Sequence, residues 1–215
     1  MYFAKRNDGK RFLVGISMLL LLTLVGCMSL RNAERQQTSV PLVKSQFEGK
    51  TIAILPVKEG KIQSSMATES TRNLRIAINE AIDNKVAKLI PTAKIINNKT
   101  SATNLNDSDK LNLLENLFQA YEVTGTFDKK TIESLCDCLH ADYIVVSQLK
   151  VAKMDASILG KGVNATMDAA IVGMQTKDVV WGGSASFKKA GTMGFGGSDD
   201  KDVAAELVNL VFSTY

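Results

Sequence analysis

Cys136, Cys138 and His140 are the residues of this 215-residue chain best equipped for chemistry, two thiols and the single imidazole within five positions. Thiolates and imidazoles bind zinc, and a dithiol can shuttle electrons. The spacing opposes both uses. Ile132, Leu135, Cys136 and Leu139 recur at helical intervals, and positions two apart on a helix point about 200° away from each other. Cys136 then faces a core while Cys138 points elsewhere. A fourth metal ligand is also lacking, because the remaining cysteine is Cys27. We expect Cys136 to be a buried structural thiol. His140 follows the last apolar position of that helix, and histidine is among the non-glycine residues enriched in the left-handed region, so it is expected to close the helix there.

The other chemical candidates are weaker. "GFGG" at 194–197 lacks the Lys-Ser/Thr pair of a phosphate loop, and Asp199 and Asp200 would repel an anion. Asn98-Lys99-Thr100 and Asn164-Ala165-Thr166 match a glycosylation pattern by chance. Trp181, on an alternating strand, could be a ligand platform or a core aromatic. No serine-histidine-acid set, catalytic carboxylate pair or cofactor fingerprint is present. We expect a protein that is not an enzyme and needs no cofactor or metal.

Cys27 has a different chemistry. Lys5, Arg6, Lys10 and Arg11 precede the apolar run from Phe12 to Gly26, the layout of a secretory signal. The run is shorter than the roughly 20 residues of a membrane span. It closes on Leu24-Val25-Gly26-Cys27, which resembles the bacterial lipoprotein processing motif. That resemblance implies diacylation of Cys27, cleavage before it and acylation of the new terminus; the alternative is an uncleaved signal anchor. Three acyl chains hold a protein on a membrane far more firmly than one. Met28 stands where an inner-membrane retention signal would have Asp, so the expectation is the periplasmic face of the outer membrane.

The elements that position these residues come next. The net charge of +4 owes much to the leader, which holds four bases and one acid, so nothing suggests nucleic acid. Residues 1–26 read as signal peptide, 27–48 as lipidated cysteine and polar tether, and 49–215 as one α/β domain. Within it, "KTIAILPV" (50–57) reads as a buried strand ended by Pro56 and a polar loop containing Gly60, 65–89 as an amphipathic helix stopped by Pro91, and "AKII" (93–96) as a strand. "NNKTSATNLNDSDK" reads as a turn-rich loop ending in a cap, Asp107 or Ser108, for a helix through Leu111, Leu114, Phe118 and Tyr121. Asp128 caps the helix ending at His140, and a strand begins near Tyr143. "VNATMDAAIVGMQ" and "DVVWGGSASFKK" alternate strictly, giving a hairpin whose Asn164, Thr166 and Asp168 share a polar face. A Gly-rich loop and a terminal helix end the chain. The fold expected is a mixed sheet of about five strands flanked by helices.

"TIAILPV", "ADYIVVSQL", "MQTKDVVWGGS" and the closing helix, in this order, resemble the CsgG-like (curli secretion) lipoprotein superfamily. Its α/β fold is shared with the N-terminal domain of TolB and with lipoprotein activators of peptidoglycan synthases. The resemblance spans most of 50–213. Members typically carry a glycine in the turn before the tryptophan, which this chain lacks. The resemblance implies a non-catalytic assembly or transport accessory, oligomeric or bound to an envelope protein. Two alternatives are a regulator of a periplasmic enzyme and a small-ligand binder with Trp181 in its pocket. With Trp181, the face of Asn164, Thr166 and Asp168 is the expected interaction surface.

Overall fold

In the computed structural model, residues 31–36, 42–64, 68–157, 160–189 and 200–213 are described. Cys27, with Leu24, Val25 and Gly26 before it, and the Gly-rich loop at 190–199 lie outside these residues.

Among the described residues seven strands form one mixed sheet: β1 (Arg31–Gln36), β2 (Thr51–Ile54), β3 (Lys58–Ser64), β4 (Lys94–Ile96), β5 (Tyr143–Ser157), β6 (Gly160–Gly173) and β7 (Val179–Lys189). Their order is β1-β7-β6-β5-β2-β4, and β3 pairs with β5 beyond the end of β2. β2 is parallel to both β4 and β5, whereas β5, β6, β7 and β1 are antiparallel neighbours.

The helices form two layers. α1 (Thr68–Leu89) and α5 (Asp200–Val211) cover one face. Leu74, Ile78, Ile82 and Val86 of α1 recur every fourth residue and are fully buried, against Val203, Leu207 and Val211 of α5 and Met167, Ile171 and Phe187 of the sheet. α2 (Asn98–Asp107), α3 (Asn112–Thr124) and α4 (Lys129–Leu139) cover the other face. Leu105, Leu117, Phe118, Ile132 and Leu135 pack there on Leu55, Ile144, Val146 and Val172. β2 sends Ile52 and Ile54 to one layer and Ala53 and Leu55 to the other, which is why a parallel strand reads as an unbroken apolar run.

Three expectations are corrected. The polar stretch from Leu30 to Gln46, expected to be a tether, contributes β1, paired residue for residue with β7 from Arg31 opposite Lys189 to Gln36 opposite Ser184. Backbone pairing at a sheet edge needs no apolar pattern. The loop after Val57 contains β3, where Gly60 sits opposite a bulge between Leu149 and Val151 of β5. A Cβ at residue 60 would lie 2.6 Å from the Lys150 carbonyl oxygen, so glycine permits the two backbones to approach. These two strands raise the count from about five to seven.

The segment after Ile96 is the helix α2 and not a loop. Asn97 caps it, accepting from the Thr100 N–H at 2.8 Å. The Asn98 N–H donates to Asp83 of α1 at 3.0 Å, and the Asn98 side-chain amide also donates to that carboxylate. Burial, the largest effect, pushes the Asp83 carboxyl above its ordinary value despite these bonds. Neither Asp107 nor Ser108 caps α3, whose first residue follows Leu111 with no side-chain bond.

Candidate functional site

Asp128 caps α4 as expected. Its carboxylate accepts from the Thr131 hydroxyl at 2.7 Å and the Thr131 N–H at 2.8 Å, and these bonds, the hydroxyl first, hold it below the ordinary carboxylate range. His140 ends α4 at φ 49° and ψ 46° in the left-handed region. Cys136 is buried among Ile132, Leu135 and Leu139, while Cys138 is half-buried, and both thiols are free. Burial, with the Asp137 and Asp142 charges adding, pushes the Cys136 thiol up to about 12, so it stays protonated and a poor nucleophile. Among the described residues no cluster of three His, Cys, Asp or Glu could hold a metal ion.

The two helical layers leave a gap, because α2, α3 and α4 lie over only part of their face. On β6, Ala165, Met167, Ala169 and Ile171 are buried under α1 and α5, while Asn164 is exposed and Thr166 and Asp168 are half-buried on the opposite side. On β7, Ser184, Ser186 and Lys188 continue that side. Cross-strand bonds tie it together: Ser184 donates to Asp168 at 2.6 Å, and the Thr166 and Ser186 hydroxyls meet at 3.0 Å. Lys150, bulged out of β5, forms an ion pair with the other Asp168 oxygen.

Trp181 is not part of this surface, which corrects its expected place beside Asn164, Thr166 and Asp168. It lies opposite Ile171, three per cent exposed, and stacks on Phe212 beyond the end of α5. An odd step along β7 separates the faces: Trp181, Gly183, Ala185 and Phe187 go to the core, and the residues between them do not. A pocket built on Trp181 is excluded with it.

A cleft of about 250 Å³ opens instead where the polar face meets the edge of α3. Phe118, Tyr121, Phe127 and Val179 form its wall, and Gln148, Asp168 and Ser184 belong to its polar floor. Gly125, at φ 72°, ends α3 and turns the chain back. Tyr121 and Phe127 thereby stack at 4.6 Å with planes 19° apart. A second recess of about 840 Å³ shares Tyr121, Phe127 and Val179 and runs on past Thr124, Thr126 and Lys129. None of these wall residues was singled out from the sequence as a site. The available signal was an aromatic on each side of Gly125, six positions apart.

No family model matches the chain, and no curated protein matches it. Solved structures with a similar arrangement include the PelC dodecamer from Paraburkholderia phytofirmans, at 11% identity and TM-score 0.46 over 85% of this chain and 94% of that one. Lipoprotein GNA1162 from Neisseria meningitidis aligns at 14% identity and TM-score 0.39, over 75% and 94% of the two chains. The C-terminal domain of LpoB from Escherichia coli aligns at 13% and 0.36, over 65% and 83%. At these values the likeness describes an arrangement of helices and strands and assigns no activity.

Proposed function

We propose that the protein is a non-catalytic assembly or transport accessory of the cell envelope, held at the periplasmic face of the outer membrane by acyl chains on Cys27, and acting as a homo-oligomer. Strand β1 carries this reading. It begins at Arg31, so only Met28, Ser29 and Leu30 separate it from Cys27, a reach of at most about 14 Å. The anchor therefore holds one end of the sheet near the bilayer instead of letting the domain range across the periplasm. A regulator that must reach a distant synthase loses support by the same measure.

The sheet end that follows Cys27 also favours a surface role over a pore. Among the described residues, β5 and β6 continue past β1, β3 and β7 by three residue pairs, Asp155 with Gly162 to Ser157 with Gly160, about 10 Å of ribbon. A membrane-spanning strand needs about 9 to 11 residues. Among the described residues the outer edges of β1 and β4 remain for a second copy.

Three measurements test this. Metabolic palmitate labelling should mark the wild type and fail in Cys27→Ser, which should accumulate as precursor; persistent labelling overturns the anchor. Sizing of the lipidated protein should give an oligomer, and planar bilayers containing it should show no conductance. Large reproducible conductance steps would overturn the non-pore role, and a strict monomer would remove the assembly role.

A further inference from the structure

The cleft beside Tyr121 combines an aromatic wall with a polar floor. Its wall is a stacked aromatic pair, half-buried and continued by Phe118 and Val179. Its floor is rich in acceptors. The Asp168 carboxylate receives Ser184 and Lys150, yet two carboxylate oxygens offer about four lone-pair sites. The Gln148 amide donates to Glu122 at 3.1 Å, which leaves its carbonyl oxygen to accept, and the Ser184 hydroxyl, having given its proton to Asp168, can accept as well.

Charge narrows the occupant. A carboxylate or phosphate would meet the Asp168 carboxylate in the floor. An ammonium group would find the Asp168 charge already answered by Lys150. A purely apolar side chain would cover the floor and strand its polar atoms, which costs more than the wall contact returns. What remains is a neutral molecule with one C–H face and an edge of hydroxyl donors. A pyranose ring has that shape: its axial C–H bonds present an electropositive face to the negative face of an aromatic ring, and its hydroxyls donate around the rim.

We propose that this cleft binds a neutral hexopyranose unit of a glycan, the ring packed on the wall of Tyr121 and Phe127 and its hydroxyls donating to Asp168, Gln148 and Ser184. The cleft of about 250 Å³ is below the usual range of a drug-sized site, so it takes one ring. The adjoining recess, continuous through Tyr121, Phe127 and Val179, carries the next units along Thr124 and Thr126. The site lies on the opposite side of the sheet from Trp181, and it does not depend on how the chain is anchored.

Saturation-transfer NMR on the full-length protein, in a zwitterionic detergent without a sugar headgroup, tests this with cellotetraose and tetraacetyl-chitotetraose as probes. At least one should show saturable transfer concentrated on a single ring. Tyr121→Ala and Phe127→Ala should each weaken binding about tenfold or more, and Asp168→Asn should weaken it while leaving Trp181 fluorescence unchanged. An acidic tetragalacturonide should not bind. Silence from both neutral probes at about 10 mM, undiminished binding in Tyr121→Ala, or preference for the acidic probe or for N-acetyl-tryptophanamide would each overturn the proposal.

Discussion

Trp181 lies flat against Phe212, ring centroids 4.9 Å apart and planes 20° from parallel. The contact fastens the start of β7 to the last described turn of the chain. Gly183, two residues further along the same face, has no room for a Cβ against the Val211 carbonyl and the Trp181 ring. Trp181→Ala should cost about 3–5 kcal/mol, and Phe212→Ala a similar amount. In urea denaturation the double mutant should fall short of the sum by about 0.5–1.5 kcal/mol.

The two internal thiols should behave as strangers. Alkylation at pH 8 should modify Cys138 readily and leave Cys136 protected until the protein unfolds. Cys136→Ser puts a hydroxyl among Ile132, Leu135 and Leu139 and should cost about 1–3 kcal/mol, while Cys138→Ser should be nearly silent. Equal effects would mean that the thiols act as a pair.

Alkali gives a second readout of Cys136. Its folded thiol is pushed up to about 12 from the ordinary 9.0, so above pH 9 the unfolded chain loses this proton while the folded chain keeps it. Its contribution to stability is complete below pH 9 and drains away as the pH rises toward 12. Cys136→Ala should show a shallower alkaline loss than the wild type in parallel denaturation curves.

His140 pays a steric cost at φ 49° that glycine would not. His140→Gly should therefore raise stability by about 0.5–1 kcal/mol, and His140→Val should lower it by more than that. Thermal melts of the two variants distinguish this capping role from a catalytic one, in which glycine would help nothing.

Gly60→Ala tests the approach of β3 to the β5 bulge. The new methyl meets the Lys150 and Leu149 carbonyl oxygens, and backbone cannot rotate aside as a side chain can. A loss of about 1–3 kcal/mol is expected, with hydrogen exchange accelerated in Lys58–Ser64 before the rest of the sheet.

What the sequence revealed of the fold follows from how local each cause is. The Asp128 cap, the left-handed His140 and the alternation of β6 are set by neighbouring residues, and all could be read along the chain. The hairpin turn could be read too, although Lys177, at φ 55°, fills the left-handed position where a glycine was looked for. β1, β3 and α2 could not. β1 is polar except for Ala33 and exists because β7 offers it backbone partners about 150 residues away. α2 buries only Ser101 and Leu105 and leans on Asp83 from another helix. The cleft was invisible for the same reason: Tyr121 and Phe127 meet Asp168 and Ser184 only after α3 has docked on the sheet.

The pairing of β1 with β7 also sets an order of events during biogenesis. β1 is made well before β7, its pairing partner, so closing the long loop between them is entropically expensive and must wait until β7 has emerged. Until then β7, once formed on β6, presents a bare edge to any passing strand. A chain whose β1 is delayed, masked or trimmed should thus aggregate while its core folds normally, and the vulnerable interval ends only when β1 joins the sheet.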